Sequence, residues 1–180
     1  SVLEMTGAYA CIANGGTYYE PSYYTVVYDH DGNVLLDKRE KEGKRVLKET
    51  TSYLLTDMME DVITSGTGTA AQISGMNVAG KTGTTSDNVD LTFYGYTPYY
   101  TAGIWMGYDT SKEMKNVSGS AHLKIWKHVM SQTHADLPNK EFTRPDGIVT
   151  LSVCAASGGQ PSSLCSQDYY GYSARSDLAA

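Results

Sequence analysis

Three β-prone runs follow one another in the middle of the chain: Val78 to Thr85, Leu91 to Tyr96 and Tyr99 to Met106. They are separated by Ser86-Asp87-Asn88 and by Thr97-Pro98, residues that favour turns. Such short connections leave no room for a crossover, so the spacing predicts three consecutive antiparallel strands. Whatever else the chain builds must pack on that sheet. Val2 to Ala13 reads as a helix rich in small side chains, stopped by Asn14-Gly15-Gly16. Tyr24 to Tyr28, Asp29-His30-Asp31-Gly32-Asn33 and Val34-Leu35-Leu36 together suggest a hairpin. From Lys38 to Lys48 the charges alternate in sign around Gly43, the pattern of a solvated loop.

A second helix is expected after a cap at Thr50, Thr51 or Ser52. Its buried stripe would be Leu54, Leu55, Met58, Met59, Val62 and Ile63, with Asp57, Glu60 and Asp61 on the wet side. Ser65-Gly66-Thr67-Gly68-Thr69 ends it. A third helix begins near Ser118 or Ser120, carries Leu123, Trp126, Val129 and Met130 on one side, and stops before Pro138. Ile148 to Val153 suits one more strand, and the polar stretch from Gln167 to Ala180 reads as a frayed tail. There is no internal repeat at solenoid periods.

Composition excludes several function classes. The 180 residues can bury a real core, and 41% hydrophobic against 19% charged side chains argues against wholesale disorder. A formal charge of -6 offers no overall basic field, so nucleic acid is a poor partner. No apolar run approaches the roughly 18 residues that span a bilayer, and Ser1-Val2-Leu3-Glu4 does not open a signal segment. Any signal or anchor is expected outside this chain. Of the three cysteines, Cys154 and Cys165 flank a Ser-Gly-Gly-Gln-Pro loop and could pair or stay as free thiols.

The densest site signal is Gly75 to Thr85. Gly75 to Thr82 satisfies GxxxxGK[ST], the phosphate-cradling loop, but that loop must follow a hydrophobic strand and open a helix at Lys81-Thr82. Here a Ser/Gly/Ala-rich loop precedes it, and Gly83-Thr84-Thr85 are poor helix starters. Read instead as a strand, Lys81 and Gly83 share one face while Thr82 and Thr84 share the other. A cation, two hydroxyls and a glycine suit a carboxylate-bearing peptide laid beside the strand.

Lys81-Thr82-Gly83 is also a signature of serine penicillin-binding proteins and β-lactamases. Around it stand Gly66-Thr67-Gly68-Thr69-Ala70, Val78 to Thr85, Asp87, Asp90, Phe93, Gly95-Tyr96-Thr97-Pro98 and Gly103 to Asp109. Leu3 to Ala10, Ala13 to Gly16 and Asp31-Gly32 lie earlier in the chain. Together these closely resemble the C-terminal half of the transpeptidase domain of class A, bifunctional penicillin-binding proteins. The likeness covers roughly residues 1–137, and residues 138–180 read as a C-terminal extension with one possible strand and a flexible tail. It implies a mixed α+β fold, an antiparallel sheet packed with helices, with two of the family's five strands in a portion preceding Ser1. A nucleophilic serine in Ser-x-x-Lys and the Ser-x-Asn motif are expected there too, since this sequence holds no Ser-x-x-Lys. Ser86-Asp87-Asn88 comes five residues after Lys81, on the wrong side of it, and reads as a turn.

Carried over residue by residue, the resemblance implies that Lys81 supplies positive potential to the missing serines and the substrate carboxylate. Thr82 and Thr84 would hydrogen-bond that carboxylate, with Thr85 as a further substrate-binding residue. The Thr84 N–H would form half of the oxyanion hole, and Gly83 would keep the approach clear. The implied ligands are peptidoglycan stem peptides ending in D-alanyl-D-alanine, and β-lactams. Neither a cofactor nor a metal is called for. The implied placement is outside the cytoplasmic membrane, anchored by a segment beyond this chain, and it favours a Cys154–Cys165 disulfide. With half a domain, self-association or a need for the other half is expected. A non-catalytic peptide-binding module and a P-loop nucleotide binder remain as alternatives.

Other candidates carry less. Gly66-x-Gly68-x-x-Ala71 imitates a dinucleotide fingerprint but follows a helix, where that fingerprint needs a strand. His122, His128 and His134 recur every six residues and so point to different helix faces, as solvated or capping groups rather than ligands of one metal. Asp87 and Asp90 are expected to order a turn, and Trp105 and Trp126 to sit in the core.

Overall fold

In the computed structural model, which describes residues 1–165 and 167–175, the antiparallel meander is present. Strands β5 (Ala79–Thr84), β6 (Asp90–Tyr96) and β7 (Thr101–Gly107) form a sheet in that order. Cross-strand partners include Thr82 with Phe93, Phe93 with Ile104, and Gly83 with Thr92. Period-two alternation therefore places Thr82, Thr84, Leu91, Phe93 and Ile104 on one face, and Lys81, Gly83, Thr92 and Tyr94 on the other.

Helices cover both faces. On the first, α3 (Ala121–Thr133) sets Trp126 edge-on to Phe93, with ring centroids 5.0 Å apart, and the Trp126 indole N–H donates to the Ala102 carbonyl. On the second, α1 (Val2–Ala13) stacks Tyr9 on Tyr94 at 5.2 Å. Helix α1 is held at its start by a capping box between Ser1 and Glu4. Helix α2 (Glu49–Thr64) lies against β5. The Thr56 hydroxyl donates to the Ser52 carbonyl at 2.8 Å, so its oxygen accepts from the buried Tyr96 hydroxyl, also at 2.8 Å. Burial keeps that phenol protonated by raising its pKa.

Smaller pieces surround this centre. The short β1 (Thr17–Tyr18) pairs with β4 (Lys44–Arg45), and the Lys38 N–H donates to the Thr25 carbonyl, so the mixed-charge stretch is tied down at both ends. In β4, Arg45 donates to the Gly15 carbonyl and reaches the Glu49 carboxylate at 2.9 Å. The expected hairpin is β2 (Val26–Tyr28) with β3 (Val34–Asp37), its turn gathered by the Asp29 carboxylate. At the C-terminal end β8 (Ile148–Cys154) pairs along its whole length with β9 (Asp168–Ala174). A disulfide joins Cys154 to Cys165 and leaves Cys11 as a buried free thiol.

Several expectations are corrected. The stretch read as a frayed tail is strand β9 over Asp168–Ala174, because Tyr172 packs edge-on to Tyr53 of α2 and under the Arg144 guanidinium. Residues 176–180 lie outside the described part. Helix α2 is not capped by Thr50, Thr51 or Ser52. Lys48 occupies the cap, and Ser52 joins Thr56, Met59 and Ile63 as its buried residues. Met58 is exposed, since the stripe is rotated toward Tyr96, which needs a hydroxyl partner. Glu60, expected on the wet side, is half-buried. Val129 is exposed, as is Trp105, whose indole N–H donates to the Asp90 carboxylate at 2.9 Å. Two of the three helical histidines are buried. His134 caps the C-terminus of α3, donates from Nδ1 to the Met130 carbonyl and accepts at Nε2 from Thr97. His122 is enclosed beside β6, where burial lowers its pKa.

Two expected outcomes follow from this packing. Phe93→Ala empties a fully enclosed site beside Trp126 and should cost about 3–5 kcal/mol in denaturant unfolding. Burial first, then the neighbouring Asp57, Asp61 and Glu141, pushes the Glu60 carboxyl up to about 7. Folding therefore takes up a proton between the ordinary glutamate value of 4.5 and about 7, and stability falls as pH rises through that window. Glu60→Gln should raise Tm at pH 8, with the gain shrinking toward zero below pH 4.5.

Candidate active site

Strand β5 runs from core to surface. Val78 and Ala79 are sealed inside, Gly80 is buried, Thr82 and Gly83 are half-buried, and Lys81, Thr84 and Thr85 are exposed. It is also an edge of its sheet among the described residues, so alternate backbone N–H and C=O groups face outward, unpaired by any strand. The four residues Lys81, Thr82, Gly83 and Thr84 are thus brought together on one outward edge. The Lys81 ammonium donates to the Thr82 carbonyl at 3.1 Å and stays in solvent. The Thr82 and Thr67 hydroxyl oxygens lie 2.7 Å apart.

Gly83 faces β6 so closely that a Cβ there would collide with the Thr92 hydroxyl, which donates to the Gly83 carbonyl at 3.4 Å. A side chain here would turn the Thr92 hydroxyl away from that carbonyl, so glycine preserves the contact. Thr85 stands apart from the other four. Its hydroxyl accepts the Asp90 N–H at 2.8 Å and its own N–H donates to the Asp90 carbonyl, so it closes the turn into β6.

That turn holds Ser86-Asp87-Asn88, all exposed, with Asp87 and Asn88 in the left-handed region (φ 59° and 51°). Asparagine and aspartate accept that conformation at small cost. The tripeptide is a turn, and Asp90 orders it from the far side. The nucleotide-loop reading fails because Lys81 to Thr84 is strand where a helix start is required. The dinucleotide fingerprint fails because Gly66 and Gly68 follow α2.

Thr67 is the residue near this edge to which sequence reasoning assigned no role. Its signal is the glycine on either side of it, and nothing in the spacing says that a residue 15 positions earlier meets Thr82. A cleft of about 750 Å³ lies elsewhere, between the end of α1, the start of α2, the β6–β7 turn and residues 140–143. None of Lys81 to Thr85 lines it.

Comparison with known proteins bears on the family and the fold. Residues 1–131 match the family model described as the penicillin binding protein transpeptidase domain. Penicillin-binding protein 1A of Clostridium perfringens is 40% identical over 168 residues, 93% of this chain and 20% of that protein. The chain therefore spans about a fifth of the length of this relative. Among solved structures, a penicillin-binding protein from Mycobacterium tuberculosis superposes with a TM-score of 0.71 at 28% identity, over 80% of this chain and 41% of that one. The D,D-transpeptidase domain of a peptidoglycan glycosyltransferase from Eggerthella lenta gives a TM-score of 0.61 at 27% identity, covering 75% of this chain and 32% of the other. With its family match over residues 1–131 and its likeness to penicillin-binding protein 1A over nearly all its length, the chain belongs to the penicillin-binding protein transpeptidase domain family.

Proposed function

We propose that this chain supplies the Lys-Thr-Gly wall of a peptidoglycan D,D-transpeptidase whose serine nucleophile lies in sequence upstream of Ser1. The observation that carries the reading is the outward edge of β5, which gathers a cation, two threonines and a half-buried glycine on one line of backbone. A donor peptide ending in D-alanyl-D-alanine would lie along that edge as an added strand. Lys81 draws its terminal carboxylate and raises the local potential for the serines. Thr82 and Thr84 hydrogen-bond the carboxylate. The Thr84 N–H stabilises the charge that develops on the attacked carbonyl oxygen.

The upstream serine bonds to that carbonyl carbon and the terminal D-alanine leaves. An amine from a neighbouring stem peptide then displaces the serine and completes the cross-link. β-Lactams enter as imitations of the donor and stop at the acyl-enzyme. Thr85 acts by holding the turn below the site. In this reading the chain by itself turns nothing over, works outside the cytoplasmic membrane, and is anchored by sequence beyond it. The outer edge of β7, unpaired among the described residues, and the exposed Val2, Leu3 and Met5 of α1 are consistent with a need for the rest of the domain.

Labelling with a fluorescent penicillin, read by intact mass, tests this on the chain alone and on a protein extended upstream through a Ser-x-x-Lys. Only the longer protein should be acylated, and Lys81→Ala or Gly83→Val should slow it by on the order of 100-fold. Labelling of the short chain would show the nucleophile to be misplaced. No labelling of either protein would overturn the transpeptidase reading.

A further inference from the structure

We infer that Thr67 is a positioning residue for the carboxylate-binding hydroxyl of Thr82, an inference that rests on the transpeptidase reading above. Helix α2 ends at Thr64, and the chain folds straight back on it. The Gly68 N–H donates to the Val62 carbonyl at 2.8 Å. A Cβ on Gly66 would stand 2.8 Å from the Val62 Cα, and one on Gly68 would stand 2.7 Å from the Ile63 side chain. Both glycines are therefore pressed against the helix end, and Ile63 is itself core. Gln72 pins the same end from the other side, its amide donating to the Ile63 carbonyl at 2.9 Å. Thr67 sits between the two glycines, exposed, and its hydroxyl meets that of Thr82 at 2.7 Å.

The direction of that hydrogen bond follows from proton counting. Each hydroxyl has one proton to donate. A carboxylate only accepts, so when Thr82 serves it, the Thr82 proton points at the ligand. The Thr82 oxygen can then only accept from Thr67. Thr67 thereby sets one polarity along Thr67, Thr82 and the bound anion, and a chain of bonds aligned in this way strengthens each member. The loop glycines fix the backbone of the first donor against the end of α2, so Thr82 need not search among rotamers when the ligand arrives.

The test uses the complete enzyme, including its upstream serine, with a penicillin and the methyl ester of that penicillin, which lacks the anion. Thr67→Val should slow acylation by the free acid about 3- to 10-fold, through weaker binding rather than a lower limiting rate. It should leave acylation by the ester near the parent rate, and Thr67→Ser should restore the acid to within about twofold of the parent. In a Thr82→Val background, Thr67→Val should leave the acid-to-ester ratio where Thr82→Val alone puts it. Equal losses on acid and ester, a serine variant as slow as the valine one, or additive effects in the double variant would each overturn the inference. Should Thr67→Val not fold, Thr67→Ala is read in the same way. A parent enzyme acylated by neither compound would instead sink the transpeptidase reading, and this inference with it.

Discussion

The structure depends on one aromatic ring in a glycine-lined slot. Phe93 lies on the face of β6 where a Cβ on Gly80 of β5, or on Gly95 of its own strand, would run into its ring. Trp126 closes the slot edge-on and ties α3 to the Ala102 carbonyl of β7. One interior contact therefore fixes the approach of three strands and a helix. Close-packed interiors transmit such constraints because no neighbouring void can absorb a shift.

From that anchor β5 runs outward. Ala79 and Gly80 belong to the core and Lys81 to Thr85 to the rim, so the edge proposed to carry the chemistry is held at one end by burial and at the other by the Thr85–Asp90 turn. Pairing of Gly83 with Thr92, whose hydroxyl donates to the Gly83 carbonyl, ties its middle to β6. Beside it, the Gly66-Thr67-Gly68 loop takes its position from the end of α2. A wall built in this way is preorganised, which is what binding an anion and a developing oxyanion requires.

Much of this was legible in the chain. The three strands, the hairpin around Asp31-Gly32, helix α1 and the stop at Asn14 depend on local periodicity and turn chemistry, and they appear close to where those signals fall. The Lys81 to Thr84 edge was legible because its residues are consecutive. Side-chain environments were less so. Hydrophobicity alone marks the wrong stripe of α2: Thr56 is buried because Tyr96 brings a hydroxyl that must be satisfied, and Ser52 is buried one turn before it while Met58 is exposed. Residue type alone puts Trp105 inside and His122 outside, whereas Trp105 lies outside against Asp90 and His122 lies inside.

What the amino-acid order determined by itself is local: which stretches alternate with period two or near 3.6, where turns break them, and that Lys81, Thr82, Gly83 and Thr84 share one strand. Backbone sterics and side-chain period act over a few residues and need no partner. Only the tertiary structure decided that Thr67 meets Thr82, that Thr85 serves a turn, that Asp168–Ala174 becomes a strand, and that Cys154 and Cys165 join. Each of these is a contact between segments that local preference does not link. It forms because the packed sheet and helices leave those groups a single set of neighbours.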